Sequence, residues 1–147
     1  MESTMKSIIS FLTLVIASQL SFSHTLPEGT YQGKGVWKSI SEGGNYTNTT
    51  VISKDQIKTH YKLPNGKYMD WDFTLSNENN SFFDLTIDGQ KVGSGYCLEK
   101  ITLCHYQFEV PGVKLEESLV QQENNIYRYG SKIINGKTIF WQERLEK

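Results

Sequence analysis

The chain has 147 residues, a formal net charge of −1, 37% hydrophobic and 21% charged residues, two cysteines and three histidines. Acids and lysines are interspersed and the only arginines are Arg128 and Arg144, so no basic face is offered to nucleic acid or an anionic membrane, and no guanidinium cluster to phosphate. The length suits a single domain with one core.

The N-terminus carries Lys6 and then an apolar run, Ile8–Ala17, interrupted only by Ser10 and Thr13. A helix needs about 20 apolar residues to cross a bilayer, so this run is too short. Ser21-Phe22-Ser23 has the small-x-small spacing that signal peptidase accepts. Residues 1–23 are therefore expected to be a cleavable signal peptide and 24–147 a single exported domain, secreted or periplasmic, with no membrane span.

From residue 29 onward the chain is cut every ten residues or so by turn chemistry, with segments rich in Tyr, Phe, Trp, Val, Ile and Thr between the cuts. Asn65-Gly66, Asp88-Gly89 and Asn135-Gly136 predict type I′ hairpin turns, which need positive φ at both central residues. Weaker breaks at 42–45, 54–55, 77–80, 99–100, 111–112 and 124–125 complete ten segments: 30–40, 46–53, 56–63, 67–76, 81–88, 91–98, 101–110, 113–123, 126–134 and 137–145. Alternation is clearest where Met69, Trp71, Phe73 and Leu75 share one face, and where Cys104, Tyr106, Phe108 and Val110 do so. Within 113–123, Val113, Leu115 and Leu119 share a face, and the flanking turns favour strand over helix.

Ten sequential strands with short links predict an all-β antiparallel up-and-down β-barrel, since closure removes exposed edges. A two-sheet β-sandwich is the alternative. Side chains alone fill a barrel of about eight strands, so ten leave room for a cavity.

The opening strand, Gly29-Thr30-Tyr31-Gln32-Gly33-Lys34-Gly35-Val36-Trp37, resembles that of calycin-type barrels. Gly35 and Trp37 match the Gly-x-Trp of lipocalins, and the resemblance implies a barrel-closing basic residue from the last strand lying across that tryptophan, for which Arg144 is the candidate. Residues 29–35 also resemble the nitrobindin opening, with Tyr31 in place of its tryptophan. Nitrobindins hold haem through a histidine near the C-terminus, and no histidine follows His105 here, so haem is not implied. The two-helix lid of fatty-acid-binding proteins has no room in the link around 41–45.

Cys97 and Cys104 fall in neighbouring predicted strands around one turn, in a compartment expected to be oxidising, and predict a disulfide. His24, His60 and His105 lack metal-ligand spacing, and no metal or other cofactor is expected. Asp70, Asp72, Asp84 and Asp88 read as the water-facing halves of amphipathic strands. Gly33 with Gly35, and Gly93 with Gly95, precede no helix and read as barrel-corner glycines rather than a phosphate loop. Asparagines 45, 48 and 79 begin N-glycosylation sequons beside predicted turns.

Trp37, Trp71, Phe73, Tyr106, Phe108, Tyr127, Tyr129 and Trp141 are candidates for the inner face. The residues expected to line a ligand cavity are Tyr31, Trp37, Trp71, Phe73, Tyr96, Tyr106, Phe108 and Trp141, because aromatic rings join apolar area to orienting polar tips. The expected function is an exported small-ligand-binding barrel holding an apolar or amphipathic molecule. No catalytic motif is recognised, so the sequence reads as a non-enzyme. The alternative is a packed barrel that meets a protein partner and holds no small molecule.

Overall fold

The computed structural model describes residues 26–77, 81–98 and 102–147. The expected signal peptide, His24, the sequon at 79 and the break at 99–100 lie outside or only partly within these residues. Ten strands follow one another: β1 (Gly29–Lys38), β2 (Gly43–Ser53), β3 (Gln56–Lys62), β4 (Tyr68–Asn77), β5 (Phe82–Ile87), β6 (Gln90–Leu98), β7 (Leu103–Val110), β8 (Val113–Gln122), β9 (Asn125–Ile134) and β10 (Lys137–Glu146). Each pairs antiparallel with its sequence neighbours, and β10 returns to β1, closing the barrel. Closure rules out the sandwich.

Turn chemistry sets the frame. Asp88-Gly89 and Asn135-Gly136 both have positive φ at the two central residues. The Asn65-Gly66 turn differs: only Gly66 has positive φ, its N–H bonds to the Leu63 carbonyl at 3.0 Å, and the Leu63 N–H bonds to the Lys67 carbonyl at 2.9 Å. Pro64 pre-sets the second position of an ordinary turn, and Gly66 absorbs the left-handed step after it. β2 starts three residues earlier than its sequence suggests, because Gly43-Gly44-Asn45 pair with Lys38-Trp37-Val36.

Near the middle of the sheet, Gly93 and Gly95 let β6 lie close against β7. A Cβ on either would collide with a β7 backbone carbonyl, of Gln107 or His105. The pairing of β5 with β6 shifts register beside Leu85, leaving Val92 as the extra residue of a bulge.

The end of the barrel from which β1 starts is filled with apolar side chains. Leu26, Ile52, Leu85, Leu119, Ile126 and Leu145 are all buried there. Tyr31 is buried with them, and its hydroxyl donates to the Pro27 carbonyl at 2.7 Å, holding the entering segment against this base. Cys97 and Cys104 face each other in the β6–β7 register and form a disulfide in the same layer. Replacing both with serine is expected to lower stability by about 2–3 kcal/mol in the chain-entropy account of so short a loop. Paired urea curves with an unchanged slope would show it, and equal midpoints would refute it.

Candidate functional site

Above the apolar base the interior becomes polar on one side. Arg128 on β9 points inward between Ile126 and Gly130 and is 1% exposed. Its Nη1 donates to Thr59 Oγ1 at 3.0 Å and to the Tyr61 hydroxyl at 3.1 Å, and its Nη2 donates to Thr50 Oγ1. Its Nε lies 3.2 Å from Glu143 Oε2, but the N–H points off that line, so this contact is an ion pair rather than a hydrogen bond. Burial opposes the guanidinium charge, yet Glu143, Tyr61 and Glu117 together hold its pKa well above the ordinary value.

Glu143 on β10 is fully engaged. It accepts from the Tyr46 hydroxyl at 2.7 Å on Oε1 and from Asn48 Nδ2 at 2.8 Å on Oε2. A side chain at Gly35 would overlap the Tyr46 phenol and Glu143, so the glycine makes room for this contact. Glu117 on β8 is held more loosely. Oε1 accepts from the Tyr106 hydroxyl, Oε2 accepts from Trp141 Nε1 at 3.1 Å, and Arg128 Nη1 stands 3.7 Å away, beyond hydrogen-bond reach. Burial pushes the Glu117 carboxyl up to about 7, against the opposing pull of Arg128. Burial likewise raises the Tyr46, Tyr61 and Tyr106 hydroxyls.

This polar layer floors a cavity of about 390 Å³. Trp37, Trp71, Phe73, Phe108 and Trp141 wall it, and Leu63, Pro64 and Asn65 of the β3–β4 turn stand at its mouth. Phe108 lies within ring contact of both Trp71 and Phe73, at 5.1 and 4.9 Å between centroids. A packed interior is therefore not what this barrel holds.

Six of the eight aromatic residues expected at a cavity line this one: Trp37, Trp71, Phe73, Tyr106, Phe108 and Trp141. Tyr31 is instead part of the base, and Tyr96 faces outward between Phe82 and His105, because its neighbours Gly95 and Cys97 take the inward positions. Tyr127 and Tyr129, expected on the inner face, point outward because Ile126 and Arg128 occupy that face of β9. Arg144 is also corrected. Glu143 and Leu145 face inward on β10, so Arg144 lies outside, paired with Glu146 at 3.0 Å rather than lying across Trp37.

Asp70, Asp72 and Asp84, which alternation reads as water-facing, lie on the outer face. Asp70 pairs with His60, Asp72 with Lys58 at 3.3 Å, and Asp84 with Lys91 at 2.6 Å. His105 Nδ1 and Ser118 Oγ are 2.9 Å apart on that side. Asp88 sits in its hairpin turn.

Sequence reasoning missed the floor of ionisable side chains. Its signal was a charged residue at an inward step of the alternation: Leu115-x-Glu117-x-Leu119, Ile126-x-Arg128 and Trp141-x-Glu143-x-Leu145. Strand periodicity makes such a residue buried whatever its polarity.

No protein-family model matches the chain, and no curated protein matches it by sequence. The barrel is similar to the solved structure of an S-type phycobiliprotein lyase from Guillardia theta. The TM-score is 0.63 at 7% sequence identity, over 82% of this chain and 87% of that one. At this identity the likeness is one of fold. It nevertheless corrects the reading of the chain as a non-enzyme: a barrel of this shape carries a lyase, so the want of a local sequence motif gives no ground for excluding catalysis. Among the described residues no helix is long and apolar enough to cross a membrane.

Proposed function

We propose that the domain binds a small amphipathic molecule, its apolar part between the aromatic walls and its polar part on the Glu117–Arg128–Glu143 floor. The carrying observation is the combination of a 390 Å³ aromatic cavity with a buried ionic floor in one barrel. Packing alone gives no reason to bury three ionisable groups beneath an aromatic-walled cavity, whereas a ligand pocket needs apolar area for affinity and a few fixed polar groups for orientation. The fold shared with a phycobiliprotein lyase supports the reading. So does the calycin-like opening strand, although its expected basic partner, Arg144, is turned outward.

Export belongs to this reading as well, on the leader-like residues 1–23 and on a disulfide compatible with an oxidising compartment.

The test is titration of the chain with the fluorescent amphipathic aromatic 1-aminoanthracene. Saturable one-to-one binding with quenching of tryptophan fluorescence is expected. Leu115→Trp, which fills the cavity wall, is expected to weaken binding at least about tenfold while leaving the β-sheet circular dichroism unchanged. Absence of saturable binding, or equal binding by the filled variant, would overturn the reading.

A further inference from the structure

Lys132 is the lysine that lines the cavity. It stands on the inward face of β9, two steps above Arg128, where Gly130 between them carries no side chain. A Cβ at Gly130 would lie 2.6 Å from Trp141 Cζ2, so the glycine lets the indole lie over the strand. The Lys132 amine sits 6.0 Å from the centre of that indole ring. Nε1 of the same indole donates to Glu117 Oε2 at 3.1 Å. An amine and a carboxyl thus flank one aromatic wall of the cavity, and among the described residues no ion pair ties the amine down. Burial lowers its pKa against the opposing effect of Glu117, which increases the share of neutral amine.

We propose that Lys132 captures apolar ligands bearing an aldehyde as a Schiff base inside the cavity. The proposal rests on the ligand-binding reading above. The neutral amine is the nucleophile; the C–N bond forms as the carbonyl π pair moves to oxygen. That oxygen takes a proton, the nitrogen gives one up, and loss of water leaves the C=N bond. Amine and aldehyde give imine and water, with no change of oxidation state. A partly buried lysine against aromatic walls is a form of this residue suited to the step, and those walls limit the water that would reverse it. The length of the lysine stem allows the nitrogen to meet a carbonyl entering from the mouth, while the rest of a flat ligand lies between Trp71, Phe108 and Trp141.

The experiment uses cinnamaldehyde with cyanoborohydride trapping, and cinnamyl alcohol as the analogue that binds but cannot react. Peptide mapping by mass spectrometry is expected to find the reduced adduct at Lys132 about tenfold sooner than at the exposed Lys114, because the cavity holds the aldehyde beside the amine. Lys132→Arg is expected to abolish the fast adduct yet still bind cinnamyl alcohol, as read by tryptophan quenching. If the alcohol binds the wild-type chain but Lys132 labels no faster than Lys114, the Schiff-base inference fails and the cavity reading stands. If neither probe binds, both fail.

Discussion

Replacing Arg128 with methionine is expected to lower stability by about 3–5 kcal/mol, the usual cost of leaving buried carboxylates without their partner. Arg128 and Glu143 are each 1% exposed and Glu117 is 3% exposed, so their charges are balanced by one another and by neighbouring hydroxyls rather than by bulk water. The change leaves Glu143 with only Tyr46 and Asn48, and withdraws the donors that Thr50, Thr59 and Tyr61 accept from. Urea unfolding monitored by tryptophan fluorescence measures it. Adding Glu117→Gln and Glu143→Gln to the same chain is expected to recover a substantial part of the loss, because the cost lies in uncompensated charge rather than in lost volume. A methionine variant as stable as the wild type would show that the floor is not an ionic unit.

The second large effect is on pH dependence. Glu117 has a pKa of about 7 in the folded chain against an ordinary 4.5. Between those values the folded state keeps a proton that the unfolded chain has released. Stability therefore falls as pH rises: this contribution is fully present below about pH 4.5 and is lost as pH passes through about 7, to an extent of up to about 3 kcal/mol. Glu117→Gln cannot titrate, so its stability profile over the same range is expected to be flatter and to exceed the wild type on the alkaline side. Parallel profiles for the two chains would refute the assignment.

Much of the fold was legible because its determinants are local. Asp88-Gly89 and Asn135-Gly136 fix their hairpins by backbone stereochemistry alone, and the Met69-Trp71-Phe73-Leu75 alternation shows which side of β4 is buried. Errors arose where a residue's type and its position disagreed. Gly43 and Gly44 have the composition of a turn but the partners of a strand, since Gly44 lies against the Trp37 indole, with Nε1 3.1 Å from where its Cβ would be. Tyr127 and Tyr129 are aromatic and so looked internal, yet Arg128 between them holds the inward position.

The aromatic half of the site could be found by counting rings on alternating positions. The ionic half could not be found from composition. Alternation marks Glu117, Arg128 and Glu143 as inward one by one, but only the alignment of β8, β9 and β10 brings them together, with Glu143 opposite Arg128 and Glu117 one inward step along, opposite Gly130. Register between strands decides that convergence, and no single strand's sequence contains it.

The closing seam between β1 and β10 also sets the order in which the molecule can be completed. Glu143 meets Tyr46 and Asn48 across 97 and 95 residues of chain. During synthesis Arg128 therefore emerges before this acceptor, and the sheet keeps two open edges until the last strand arrives. Contacts so distant in sequence make folding slow. The ten residues of β10 are at once the fastener of the ring and the source of an interior counter-charge, so a chain ending at Asn135 would lose both together.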